Sequence, residues 1–186
     1  MKLTEIATQR FIDNITSITP GALKGGLQTV SVRPRKDKTM VKGAEGTDAA
    51  EKVYEELLIG GSDGIPRLYK MHRVTKRVIG DDANKVREYE AIAGRIYATC
   101  FDKSGALFAA GSSLDGKGFI KIYQTEDGKV VTRIETGLNP IYSLAFTPDG
   151  SKIATAGFDG TVKLFKVPTG EKEKEFVPVP ITVSKN

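Results

Sequence analysis

Ile141-Tyr-Ser-Leu-Ala-Phe146, Thr147-Pro-Asp-Gly150, Lys152-Ile-Ala-Thr-Ala-Gly157, Phe158-Asp-Gly160 and Val162-Lys-Leu-Phe-Lys166 decide the fold of this 186-residue chain. Short apolar runs are separated by Asp-Gly pairs, where Asp bonds its own backbone and Gly reaches positive φ without strain. The segment therefore reads strand, turn, strand, turn, strand. Pro168-Thr-Gly-Glu171 then turns the chain into a fourth strand near Lys172–Val177.

The unit recurs. Ile96-Tyr-Ala-Thr-Cys-Phe101 leads through Ser104-Gly105 to Leu107–Gly111, Asp115-Gly116, Ile120-Lys-Ile-Tyr123 and the turn Glu126-Asp-Gly128. Phe101 to Phe146 is 45 positions and Tyr123 to Phe165 is 42, on the period of about 40–45 residues for one four-stranded propeller blade. A third copy aligns without gaps at an offset of 96, Leu57-Leu-Ile-Gly-Gly-Ser-Asp-Gly64 on Ile153–Gly160 and Pro66–Lys70 on Val162–Lys166. Its first strand is then Leu27–Val32, and Arg33–Glu55 replaces what is a short turn in the other copies. Met1–Thr8 matches Val162–Thr169 at an offset of 161, so the chain reads as opening in the third strand of a blade, with Arg10–Ile15 as the fourth.

These residues resemble WD40-repeat β-propellers over roughly Met1 to Val177. The resemblance rests on the Asp-Gly turns at Asp63, Asp115 and Asp159 and on an aromatic closing each third strand, Tyr69, Tyr123 and Phe165. The signature Trp-Asp pair is replaced by Tyr69-Lys70, Tyr123-Gln124 and Phe165-Lys166, and the Gly-His pair by Gly94-Arg95 and Asn139-Pro140. The family's Asp-His-Ser/Thr-Trp hydrogen-bond network is therefore incomplete. The insertion and Gly60–Lys70 resemble divergent bacterial members, some of which join the propeller to a cytochrome c module. No Cys-x-x-Cys-His occurs here to attach a haem.

The expected fold is all-β: about three complete four-stranded antiparallel WD40-like blades plus a half blade, an incomplete propeller as a single chain. Residues 1–15 are assigned to the third and fourth strands of a truncated blade, and 16–26 to a connection. Residues 27–81 form a blade with an insertion at 33–55, 82–94 connect, 95–135 and 138–177 are blades, and 178–186 are a tail. Within the insertion, Thr47 or Asp48 before an Ala/Glu-rich run predicts a capped short helix around Asp48–Glu56. Small residues on the second strands (Ala109, Ala110, Gly111, Ala154, Ala156, Gly157) suit the narrow centre where blades converge. Propellers close with about 4–8 blades, so this reading expects either two copies associating as a homo-oligomer to complete the propeller or a piece of a longer one.

Composition narrows the function. Lys and Arg number 28 against 23 Asp and Glu, a net +5, and 39% of residues are apolar, as in an ordinary folded chain. No run of 18 apolar residues crosses a membrane. The start Met1-Lys-Leu-Thr-Glu5 lacks a signal peptide's apolar core, which makes the cytoplasm the default location. The basic runs Arg33–Lys42 and Arg67–Arg77 lie beside Glu51, Glu55, Glu56, Glu88 and Glu90, a mixed-charge surface that argues against nucleic acid.

No catalytic, metal or cofactor residue is assigned. His72 is the sole histidine, without nearby Cys, His or paired acids, and reads as a polar turn residue. Cys100 alternates with apolar neighbours and reads as an inert buried thiol. Recurrence of Asp63, Asp115 and Asp159 at one place per blade marks them as structural turn residues rather than ligands. The expected function is a non-catalytic, non-enzymatic scaffold binding protein partners of unknown identity through loops on the propeller faces. The candidate partner-binding residues are Tyr54, Arg73, Arg77, Arg87 and Tyr89. The alternative is a propeller enzyme or electron-transfer accessory acting on a small ligand at the central channel, which needs a ring of His or acids from several blades.

Overall fold

The computed structural model describes residues 2–4, 11–14, 26–33, 56–70 and 85–178. Among these, every regular element is a strand. β1 (Lys2–Thr4) and β2 (Phe11–Asn14) pair antiparallel in a two-stranded sheet. Three four-stranded antiparallel meanders follow. Blade I is β3 (Leu27–Val32), β4 (Glu56–Gly61), β5 (Arg67–Lys70) and β6 (Lys85–Glu88). Blade II is β7 (Arg95–Phe101), β8 (Leu107–Leu114), β9 (Lys117–Gln124) and β10 (Val130–Glu135). Blade III is β11 (Ile141–Phe146), β12 (Lys152–Gly157), β13 (Val162–Lys166) and β14 (Lys172–Phe176). The contacts run from β3 and β4 to β7, and from β7 and β8 to β11, an open series in chain order.

Two expectations need correction. Residues 85–88, assigned above to a connection spanning 82–94, form β6, the fourth strand of blade I, with Glu88 opposite Arg67. Lys-Val-Arg-Glu shows no apolar alternation, because β6 is an outer edge held by backbone pairing and by the ion pair of Glu88 with Arg67 of β5 (2.7 Å). Residues 71–84, with His72, Arg73 and Arg77, lie outside the described residues. The helix expected around Asp48–Glu56 cannot include its last residue, since Glu56 opens β4 opposite Lys70. Residues 34–55, with Tyr54, lie outside the described set.

The interior strands of blades I and II bury side chains on both faces, whereas β12 and β13 of blade III bury them on one. Between blades I and II, Leu58, Leu68 and Ile96 pack with Phe108, Ala110 and Tyr123, and the Phe108 and Tyr123 rings stack at 4.7 Å. Between II and III, Ala109, Ile120, Ile122 and Ile134 meet Ile141, Leu144, Ile153 and Phe165. Each fully buried Ile contributes about 1.5–3 kcal/mol by leaving water.

One contact recurs and sets the spacing. A Cβ on Gly60 would stand 2.6 Å from Ile96 Cγ2 of the next blade, and a Cβ on Gly111 would stand 2.7 Å from Ile141 Cγ2. Both glycines pair with the residue just past a bulge in the first strand, Gly60 with Thr29 and Gly111 with Ala98. The third residue in that place, Ala156 opposite Ser143, carries a methyl. Gly111 thus serves the packing of one blade on the next, a more specific role than filling a narrow centre. The inner strands also bond directly, Ser31 Oγ donating to the Thr99 carbonyl at 2.7 Å.

Candidate functional site

The three repeated aspartates all lie between the second and third strands of their blades, but they do not act alike. Asp63 Oδ1 accepts the Ile65 amide at 3.2 Å, and Asp159 Oδ1 accepts the Thr161 amide at 2.9 Å, each two residues ahead. Each also meets a cation four residues on, Arg67 at 2.6 Å and Lys163 at 3.4 Å. Those cations reach the fourth strand, Arg67 to Glu88 and Lys163 to Glu175. Asp115 differs: it sits with Gly116 in a two-residue hairpin at φ +50°, where its backbone rather than its carboxylate makes the turn. In blade II the cation Lys121 faces Arg133 across the ladder, and both bond Glu90 of the preceding connection at 2.6 and 3.1 Å. Their hydrogen bonds, Lys121 first, hold the Glu90 carboxyl below the usual range.

The other end of the blades carries a clasp that the sequence concealed. Arg33, half-buried where the insertion begins, donates to Glu56 (2.8 Å), to Glu126 of blade II (2.5 Å) and to the Gly105 carbonyl (2.8 Å). Burial opposes the Arg33 charge, yet the bonds to Glu56 and Glu126 outweigh it and raise its pKa. Arg87 donates to the Glu126 and Asp127 carbonyls at 2.9 and 3.3 Å. Tyr89 donates its hydroxyl to the Thr125 carbonyl at 2.8 Å and is only 5% exposed, with burial raising its pKa. A partner-binding loop residue is expected to be exposed, and Tyr89 corrects that expectation: the ring is buried and packs edge-on against Phe108 at 4.6 Å. Arg87 is exposed but committed to the same turn. A cleft of about 520 Å³, lined by Arg33, Leu107, Gln124, Glu126 and Asp127, lies beside the clasp. Cys100 sits among apolar neighbours with its thiol pushed up to about 12 by burial. No three His, Cys, Asp or Glu side chains come together to hold an ion among the described residues.

A different surface stands out at the end of blades II and III that carries the Asp115 and Asp159 turns. Leu138 is 82% exposed, Phe158 79%, Tyr142 50% and Leu114 46%. Their exposure is imposed by neighbours. The buried Asn139 turns inward to accept the Asp159 amide with Oδ1 at 3.3 Å, and Gly137 at φ +75° lets the loop double back, so Leu138 faces out. Gly118 donates to the Gly137 carbonyl at 3.1 Å, and Phe158 to that of Pro140 at 3.2 Å, tying the connection to both flanking turns. Tyr142 occupies the bulge of β11 and meets Tyr97, in the equivalent bulge of β7, edge to face at 5.5 Å. Four large apolar side chains are thus presented outward on a hydrogen-bonded frame. The repeat alignment held a signal for this, since Phe158 stands where the third copy has Ser62.

Residues 128–166 match the family model "WD domain, G-beta repeat". That window runs from the end of the β9–β10 turn through β13, so it combines the outer strand of blade II with three strands of blade III. Over 76 residues, 41% of the chain, the sequence is 33% identical to the mouse (Mus musculus) F-box-like/WD repeat-containing protein TBL1X. The match spans 14% of that protein's length.

Proposed function

We infer that this chain, a WD40-repeat protein, is a non-catalytic interaction scaffold that takes protein partners on the loops at the ends of its blades. Repeats of this kind support a protein-interaction role in general. The observation that carries the finer reading is the outward set Leu114, Leu138, Tyr142 and Phe158. Contiguous exposed apolar side chains on a rigid frame mark binding surfaces, because water around them is released when a partner covers them. Aromatic anchors dominate such interfaces. Arg95, Asp115 and Lys117 are exposed around this set and supply a polar rim.

The test is affinity capture from extract of the source cell with the wild-type chain and with the double variant Leu138→Asp, Phe158→Asp. Both side chains are mostly in water, so the variant keeps its β-sheet circular dichroism. Proteins retained by the wild type and lost from the variant support the reading. Identical capture by both refutes it.

A further inference from the structure

We propose that blade III receives blade I of a second copy of this chain, head to tail, with β11 of one copy against β3 of the next. The inference deepens the scaffold reading by naming one partner as the chain itself. Blade II turns Ala98, Ala109, Ile120, Ile122 and Ile134 toward blade III, all buried. The residues of blade III in the same repeat positions are Ser143, Ala154, Val162, Leu164 and Phe176, equally small or apolar, and all are half-buried or exposed. Blade III therefore carries a blade-accepting face with no described blade on it.

The complementary face is on blade I. Inner strands of neighbours touch, β3 to β7 and β7 to β11. Leu144 and Phe146 of β11 make that contact from blade III. Val30 and Val32 hold the same places in β3 and are 54% and 53% exposed. Among the described residues, the outer side of β3 and the open side of β11 are thus the two sides that the three-blade series leaves unmatched.

The recurring glycine contact supplies the argument that the two faces fit each other. Ile96 presses its Cγ2 on Gly60, and Ile141 presses its Cγ2 on Gly111. The next pair in the series is Leu27 against Ala156. Leucine has a single Cγ, so it lacks the branch that demands glycine, and the methyl of Ala156 has room. The substitution is made on both partners at once. A contact joining unlike faces closes when its rotation does. Two copies bring six complete sheets, within the range of about 4–8 at which propellers close.

Light scattering coupled to size exclusion, on the full chain over micromolar concentrations, reads this directly. The expected species has twice the mass of 20.1 kDa and dissociates on dilution. Ala145→Arg, exposed on β11, and Val30→Asp, exposed on β3, each weaken association about tenfold or more. Val131→Asp, exposed on β10 of blade II, leaves it unchanged. A 20.1 kDa species throughout overturns the proposal, as does an assembly indifferent to Ala145→Arg and Val30→Asp or equally sensitive to Val131→Asp. A monomeric result leaves the scaffold reading to its own capture experiment.

Discussion

Replacing Gly111 with Ala places a methyl where the next blade already sits. The new Cβ stands 2.7 Å from Ile141 Cγ2 and 2.9 Å from Leu144 Cδ1, against an ordinary carbon–carbon separation of about 3.5–4.0 Å. Ile141 is fully buried and stiff at its branched Cβ, so the overlap is relieved only by moving β11. Overpacking of this kind destabilises by about 1–3 kcal/mol. With two atoms overlapped the cost lies in the upper half of that range, about 2–3 kcal/mol, and loss of glycine's freedom in the unfolded chain returns about 0.5–1 kcal/mol, which leaves a net loss of about 1–2.5 kcal/mol. For a chain of this length each kcal/mol moves Tm by about 2–4 °C, so Tm falls by about 2–10 °C. Thermal unfolding followed by circular dichroism, in dilute solution, measures it. Gly60→Ala, 2.6 Å from Ile96 Cγ2, behaves alike. Pairing Gly111→Ala with Ile141→Ala gives a loss smaller than the sum of the singles, by about 0.5–3 kcal/mol. A Gly111→Ala protein as stable as wild type, or singles that add without coupling, refutes the blade-on-blade contact.

Asp159→Ala removes a carboxylate bonded to the Thr161 amide and lowers stability by about 1 kcal/mol in urea unfolding, whereas Asp115→Gly, at φ +50°, is neutral or stabilising. Arg33→Leu strips the buried Glu56 of its guanidinium and loses about 3 kcal/mol by the same assay, with the urea midpoint as readout. Acid dependence follows from Glu88, held below the usual range chiefly by its hydrogen bond to Arg67, and from Glu90, held down by Lys121 and Arg133. A carboxyl with a depressed folded pKa stabilises above its unfolded value of about 4.3 and loses that contribution as pH falls through the folded value. The urea midpoint is therefore flat from neutrality to about pH 5 and drops below it, and Glu88→Gln flattens the drop.

The strand-turn-strand unit was legible because each strand is marked twice, by an apolar run and by a flanking Asp-Gly or Ser-Gly. β7 to β14 lie where the 45- and 42-residue offsets put them. β6 escaped because an outer edge strand has no buried face to pattern, and its stability comes from Arg67 and the backbone ladder. Tyr89 misled for the opposite reason: an aromatic among Glu88 and Glu90 reads as a loop tip, yet its ring fills the gap between blades I and II. Gly60 and Gly111 were visible as small residues, but only the position of Ile96 and Ile141 across the interface shows why nothing larger fits. Arg33 stood at the start of a basic run, and its partners Glu56 and Glu126 are 23 and 93 positions away, beyond any local pattern.

Blades II and III each press an isoleucine into a glycine of the blade before, and that contact sets how the blades stack. Nuclear Overhauser contacts in a methyl-labelled sample test that directly. Strong cross-peaks from the Ile141 Cγ2 methyl to the Gly111 α-protons, and from the Ile96 Cγ2 methyl to those of Gly60, are the predicted result. A spectrum in which both isoleucine methyls are assigned and neither shows its glycine contradicts it.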